Sequence, residues 1–334
     1  MSAVQRDRLF DLLYGMLAAK GRDETLFGGS LSTARKAFRR MAPEGDLVHA
    51  YFETPLLGPP ALDVHCSLEH KQSAWPVDED ADDAWRTALD WFREEGPFET
   101  QGEEVILMAE ADTGTGRASQ SGMYLIQRER ADIVAPFLIA MSEAERIDTW
   151  QRFARSLPRG WHTSYVGFFP GRSNSLLRVN AHPTAVGAMG LEEAWRSLGI
   201  DCNNRVTDLC RTLLACARGL DVQIDVDGAG HPQGAFGLEF YLENTATDPL
   251  ADGGSGARAV AILESSGLAD ERWRQAADAC RSRRVSLPGE HGPQSIVVSV
   301  RPFSVKLKVL DGNPLPAKLY LRGDAGFVAP AVTS

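Results

Sequence analysis

Near its C-terminal end the chain alternates apolar and cationic residues with a period of two. SVKLKV (304–309) sets Val305, Leu307 and Val309 against Lys306 and Lys308, and AKLYLR (317–322) sets Ala317, Leu319 and Leu321 against Lys318, Tyr320 and Arg322. That period belongs to β-strands with one buried face. The intervening DGNPLP (311–316) has an Asp-Gly pair and two prolines, a composition suited to a hairpin turn. The stretch therefore predicts an antiparallel ribbon with a column of positive charge along one face.

The same pattern, preceded by helical periodicity, recurs upstream. A helix is expected over about 4–20 and another over about 32–41, with Ser32 or Thr33 as N-cap, before strands at 47–53 and 61–69. A helix over about 82–95 precedes strands at 104–111 and 122–130. ADIVAPFLIA and SEAERIDTWQRFARSL read as two helices, or as one broken at Pro136, before strands at 161–169 and 175–182. GLEEAWRSLG and NRVTDLCRTLLACARG precede strands at 219–227 and 235–243, and ARAVAILESSG and ADERWRQAADACRSR precede the C-terminal ribbon. The expectation is a single domain of about five ααββ units, roughly 1–70, 71–130, 131–183, 184–244 and 245–323, with a short tail 324–334. The repeat lies in the order of elements and not in residue identity.

Within the strands one face is consistently polar. Residues 219–227 set Leu220, Val222, Ile224 and Val226 against Asp221, Gln223, Asp225 and Asp227, and 175–182 set Leu177, Val179 and Ala181 against Arg178, Asn180 and His182. An open antiparallel sheet with helices on one face satisfies this pattern. Closing about ten strands into a barrel satisfies it as well, removes the edges and turns the polar face into a wet lumen. Closure is favoured, giving an α+β fold in which ααββ units form an antiparallel β-barrel surrounded by helices. Parallel α/β folds fit less well, because the strand pairs are joined by linkers too short for a crossover.

Composition narrows the functional classes. The 334 residues carry a net charge of -10, which argues against a nucleic-acid partner. No run is long and apolar enough for a membrane helix, and the N-terminal stretch lacks a signal-peptide cleavage pattern. Five cysteines without a CxxC pair read as reduced thiols of a cytoplasmic protein and not as a metal site. VDEDADDAW (77–85) is acidic but opens a helix, where aspartates favour the N-terminal dipole. GTGRAS (114–119) runs from one strand into another and so is no dinucleotide fingerprint. Neither HExxH nor GxSxG occurs, and His65 reads as a structural histidine with its hydrogen bonds satisfied.

Five such units around a polar-lined barrel, with Lys318-Leu319-Tyr320 on the last strand and Lys306-Leu307-Lys308 before it, resemble the ABBA-type aromatic and peptide prenyltransferases. In that family Lys-x-Tyr and Arg-x-Lys pairs hold a prenyl diphosphate while tyrosines shield the allylic cation. The resemblance implies transfer of a prenyl group from a prenyl diphosphate co-substrate to an aromatic or peptide nucleophile. No cofactor is expected to be bound permanently, although carboxylates could hold Mg2+ against the diphosphate. The chemistry requires such residues, since fixed cations stabilise a departing diphosphate and aromatic faces stabilise a carbocation. By inward phase, Arg128, Arg178, Lys306, Lys308 and Lys318 are assigned to the diphosphate, with Arg301 and Arg322 beyond them. Tyr165, Tyr241 and Tyr320 are assigned to the cation shield, and Glu53 and Asp63 to the catalytic base. The fourth hairpin departs from the family pattern, placing Asp221, Asp225 and Glu239 where cations are expected. These carboxylates could pair with Arg178 and the lysines, hold a magnesium ion against the diphosphate, or receive a cationic acceptor group such as a guanidinium. The alternative function is a barrel that binds a peptide or metabolite without catalysis.

Overall fold

The computed structural model describes residues 3–41, 49–69, 83–94, 105–113, 119–127, 131–169, 176–183, 191–242, 250–251, 253–289 and 292–327. Among these, the helices are α1 (Ala3–Ala18), α2 (Arg22–Phe27), α3 (Leu31–Met41), α4 (Asp83–Glu94), α5 (Val134–Ala140), α6 (Ile147–Ser156), α7 (Leu191–Ser197), α8 (Asn204–Leu214), α9 (Ser255–Ser265) and α10 (Trp273–Ala279). The strands are β1 (His49–Pro55), β2 (Asp63–Glu69), β3 (Ile106–Asp112), β4 (Ser119–Ile126), β5 (Trp161–Phe168), β6 (Leu177–Pro183), β7 (Gly219–Val226), β8 (Phe236–Tyr241), β9 (Arg281–Gly289), β10 (Gly292–Leu310), β11 (Asn313–Pro314) and β12 (Lys318–Phe327).

Strand order decides between open sheet and barrel. The sheet runs β10-β12-β1-β2-β3-β4-β5-β6-β7-β8, and β8 pairs with β10 again. The circuit closes through an antiparallel register in which Lys306 lies opposite Glu239 and Lys308 opposite Gly237. The result is a closed barrel of ten antiparallel strands, the arrangement favoured above over an open sheet. Its outward-facing residues, among them Phe52, Val64, Leu107, Leu125, Val166, Val179, Val222, Leu238, Leu307 and Leu319, form one core with the helices. Leu13, Phe38, Trp85, Phe92, Phe137 and Phe153 meet them from the helix layer. Burying this face orients the other one, because a strand side chain that does not point into the helix layer must point into the lumen.

Three local features refine the sequence expectations. Pro136 does not break a helix. It lies in the first turn of α5, where its missing N–H leaves no intrahelical bond unmade, and the chain reverses at Ser142, which has φ 59°. The helix expected through Arg283 ends at Ala279, and Arg281–Gly289 becomes β9, paired with the first half of β10. That pairing supplies a ladder for a segment that overshoots the barrel and has no β8 beside it. Asp311 and Gly312, at φ 50° and 71°, form the two-residue turn between β10 and β11, since Leu310 pairs with Asn313. The Asp-Gly hairpin signal is thus met, and the turn is tied down by Asn203, whose Nδ2 donates to the Gly312 carbonyl at 2.6 Å. Asn203 also caps α8, with its Oδ1 accepting from Val206 N at 3.0 Å. The GTGRAS segment and most of the acidic run at 77–85 lie outside the described residues.

Candidate active site

Closure places side chains from distant segments in register around the lumen. One row reads Asp112, Asp63, Glu53, Tyr320, Ser304 and Tyr241 across β3, β2, β1, β12, β10 and β8. A second reads Lys318, Lys306, Glu239 and Asp221 across β12, β10, β8 and β7. At one end these rows enclose a cavity of about 450 Å3. It is lined by Glu53, Asp63, Glu110, Asp112, Tyr124, Arg178, Gln223, Asp225, Lys306, Lys308, Lys318 and Tyr320, with Ala235, Leu315 and Pro316 from loops and Gly237 from β8. Backbone without side chains makes part of this room. A Cβ at Gly237 would stand 3.1 Å from Lys306 Cε, and one at Gly167 would stand 2.9 Å from the Tyr124 ring.

Among the described residues, the four cations that line the cavity are not equivalent. Arg178 is committed to Asp225, with its Nε at 2.7 Å and an Nη at 3.0 Å from the two carboxylate oxygens. Its guanidinium also lies 4.5 Å from the Phe169 ring centroid, and the Asp225 and Tyr124 contacts, against the cost of burial, raise its pKa. Lys318 donates to Glu53 and stands 3.5 Å from Asp63. Lys306 has a softer environment, with the Tyr320 hydroxyl at 3.4 Å and its ring at 5.7 Å. Lys308 stands exposed at the rim. Partial burial, and then the positive charges of Arg178, Lys318 and Lys306, lower its pKa against the pull of Asp225. A lysine crowded by cations is a place where an added anion gains most.

The carboxylates divide in the same way. Burial would raise the Glu53 pKa, but Lys318, with His65 and Lys306, holds it well below the usual carboxylate range. Asp63 moves in the opposite direction, pushed up to about 7 by burial and by Glu53, with Asp112 and Glu110 adding to it and Lys318 opposing. Glu110 accepts the Tyr124 hydroxyl, and despite its burial its pKa is lowered, by His65 first. Glu239, beneath Lys306, accepts from Ser304 at 2.6 Å, and its burial outweighs Lys306 to raise its pKa.

Two buried polar side chains on the lumen face have no hydrogen-bond partner. His65, 4% exposed, leaves both ring nitrogens unbonded, with Glu53 Oε2 at 3.7 Å from Nε2. It is therefore not the satisfied structural histidine expected from its strand. Asn180, fully buried between Gln223 and Tyr165 in register, leaves both amide atoms unbonded.

Of the residues singled out from sequence, Glu53, Asp63, Arg178, Lys306, Lys308, Lys318, Tyr320 and Asp225 line the one cavity. Tyr165 meets the Tyr124 ring edge-to-face at 5.4 Å and accepts from Gln223 at 3.2 Å. Asp221 and Tyr241 are farther away, hydrogen-bonded to each other at 2.7 Å, with His182 Nδ1 at 2.5 Å from Asp221. Arg301 and Arg322 pair with Asp324 at 2.8 and 2.6 Å toward the opposite end. Arg128 lies outside the described residues. Sequence reasoning gave no site role to Glu110, Tyr124, His65 or Asn180. Their alternation with Leu107, Ala109, Met123 and Leu125, and with Val64 and Val179, carried the signal, but these strands have few charges to mark the inward phase. Among the described residues no three His, Cys, Asp or Glu side chains converge as a metal site, and no helix is long and apolar enough to cross a membrane.

No family model and no curated protein matches the chain. Solved structures do. The chain is similar to 6-dimethylallyltryptophan synthase from Micromonospora olivasterospora in complex with DMASPP and Trp, with a TM-score of 0.58 and 14% identity over 94% of this chain and 96% of that one. It is similar to 5-dimethylallyltryptophan synthase from Streptomyces coelicolor, with a TM-score of 0.53 and 16% identity over 98% and 99%. Prenyltransferase PriB, in a ternary complex with L-tryptophan and dimethylallyl thiolodiphosphate, gives 0.52 and 15% over 95% and 96%. The fold is that of the ABBA-type prenyltransferase barrel. Near-complete coverage in both directions means that the whole barrel is shared, while such low identity leaves the lumen side chains to be read on their own terms.

Proposed function

We propose that the protein transfers an allylic prenyl group from a prenyl diphosphate to a nucleophile bound in the lumen, an aromatic or peptide side chain. The observation that carries this is the gathering of Lys306, Lys308, Lys318 and Arg178, from β10, β12 and β6, on one cavity that also holds Tyr320 and Tyr124. Among the described residues, Lys306 and Lys308 have no carboxylate within ion-pair distance, and they take the diphosphate. Lys318 and Arg178 flank it, and their charge adds to the stabilisation of the leaving group as the C–O bond ionises. The rings of Tyr320 and Tyr124, with Tyr165 below, screen the allylic cation from water. Asp63, whose pKa of about 7 suits proton transfer near neutrality, is the base, and Glu53 holds Lys318 in place. The ligands named for the similar solved structures, a dimethylallyl diphosphate analogue and tryptophan, agree with a donor and an acceptor sharing such a lumen.

Calorimetric titration with dimethylallyl thiolodiphosphate, followed by incubation with dimethylallyl, geranyl and farnesyl diphosphates and an acceptor panel, tests the proposal. Binding of the analogue with release of inorganic diphosphate on turnover is expected. Absence of any diphosphate binding would leave a barrel that binds peptides or metabolites without catalysis.

A further inference from the structure

At its rim the cavity is bounded by loops. Apart from the tyrosines, the apolar side chains that line it among the described residues are Ala235, just before β8, and Leu315 and Pro316, between β11 and β12. The Leu315 N–H donates to the Lys308 carbonyl at 2.7 Å, so the position of this loop is also the position of a rim cation. At its base the loop is anchored twice, since Ala317 N donates to the Leu268 carbonyl at 2.8 Å and the Ala317 carbonyl accepts from Leu56 N at 2.7 Å. At its tip it is anchored once. Among the described residues, the turn at 311–313 is joined to another element by one hydrogen bond, from Asn203 Nδ2 to the Gly312 carbonyl at 2.6 Å, while Asn313 Nδ2 turns back to the Asp311 carbonyl at 3.0 Å. The loop that carries Ala235 secures itself instead, with the Asp227 carboxylate accepting from Ala229 N, His231 N and Gln233 Nε2 at 2.9, 3.0 and 2.9 Å.

We propose that Asn203 is a positioning residue for the reaction, holding the β10–β12 loop so that Leu315 and Pro316 cover the diphosphate site and Lys308 stays aligned on it. The inference rests on the prenyl-transfer function above. An asparagine suits the task because the two atoms of its amide do different work. Oδ1 accepts from Val206 N at 3.0 Å and caps α8, while Nδ2 holds the turn. The donor is presented from a rigid element, since α8 is packed into the core through Val206, Cys210 and Leu213. The acceptor is equally well placed. At φ 71° Gly312 adopts a backbone conformation that favours glycine, and a Cβ there would stand 3.4 Å from Asn203 Nδ2.

Release of this bond has two consequences for the site. A loosened loop must be ordered each time the diphosphate binds, and that ordering is subtracted from the affinity. A loop that stands open also admits water where an allylic cation forms. The cap and the tie can be separated by substitution. Aspartate and serine cap a helix about as well as asparagine does, but an ionised carboxylate has no hydrogen to donate, and a serine hydroxyl ends one bond short of the position of Nδ2.

The test compares the parent protein with Asn203→Asp and Asn203→Ser. Calorimetry with dimethylallyl thiolodiphosphate gives the affinity, amide hydrogen exchange over residues 310–317 reports on the loop, and thermal unfolding reports on the fold. In both variants the loop is expected to exchange about tenfold faster and the analogue to bind about tenfold more weakly, at a melting temperature close to that of the parent because the cap remains. In the parent, saturating analogue should slow exchange over the same residues. If it does not, the loop does not cover the site and the inference falls, whether or not the variants fold. Parent-like affinity in either variant overturns it, even where the melting temperature drops. So does weaker binding without faster exchange of the loop, or weaker binding in Asn203→Asp alone, which marks an effect of the added charge. Failure of the analogue to bind the parent brings down prenyl transfer itself and the inference with it, whereas binding that both variants leave unchanged brings down the inference only.

Discussion

The two ends of this barrel both carry charges and put them to different uses. Away from the cavity, Asp324 gathers Arg322 at 2.6 Å, Arg301 at 2.8 Å and His49 at 2.6 Å. Asp221 likewise gathers His182, Tyr241 and Ser164 at 2.5, 2.7 and 3.3 Å. Phe303 packs between Tyr51 and Tyr241, with ring centroids 5.0 and 5.4 Å away, beside these clusters. At the cavity end, Lys306 and Lys308 have no carboxylate in contact among the described residues, and Asp63 resists ionisation. A charged lumen is therefore not in itself a site. The end whose charges are mutually satisfied holds the barrel shut, and the end with unmet charge is the one that can gain by binding something.

Substitutions at the two ends should separate these roles. The largest effect is expected from Lys306→Ala with Lys308→Ala, which should weaken dimethylallyl thiolodiphosphate binding and lower kcat/KM by roughly 100-fold or more, since removed charge-stabilising donors cost on that order. Its melting temperature should stay close to that of the parent, because neither lysine is ion-paired. Asp324→Asn should do the reverse. It removes the carboxylate that Arg322, Arg301 and His49 share, costs roughly 2–4 kcal/mol of stability by chemical denaturation, and leaves analogue affinity alone. Equal loss of binding in both variants would dissolve the distinction between the ends.

A smaller effect sharpens the comparison from the acid side. In the unfolded chain the Asp63 carboxyl ionises near pH 4, whereas in the fold it keeps its proton up to about pH 7. Between those values the folded state binds the extra proton, so stability falls as pH rises across the window, and the full cost is present above pH 7. Asp63→Asn should therefore be more stable than the parent at pH 8, by on the order of 1–3 kcal/mol, and indistinguishable near pH 4. Denaturation at both pH values checks this, and the same variant should lose turnover if Asp63 is the base. The smallest change is expected from Tyr320→Phe, which removes only the 3.4 Å contact from Lys306 and should shift analogue affinity by a few-fold at most.

How much of this was legible beforehand follows from the period of two. Val305, Leu307 and Val309, like Leu220, Val222 and Ile224, announce a buried face, and the phase of Lys306, Lys308, Arg178 and Asp225 follows from theirs. Strand identity, the Asp-Gly turn and the inward direction of the cations were thus local facts. The inward phase of Glu110 and His65 was equally local, but one carboxylate or one imidazole on a strand does not say whether it is paired. Tyr241 shows the limit from the other side. It shares the phase of Glu239, yet the register of β7 with β8 hands it to Asp221 instead of the cavity.

The sequence by itself therefore determined the elements, the face each strand buries and the residue types that reach the lumen, because these depend on neighbours two to four positions away. Only the tertiary structure decided that β8 meets β10 and closes the circuit, and that Lys318 falls to Glu53 and Arg178 to Asp225 while Lys306 and Lys308 stand outside those pairs. Those outcomes depend on register between segments up to 265 residues apart. No alternation along a single strand specifies that register, and it is set where the whole helix-facing core packs at once.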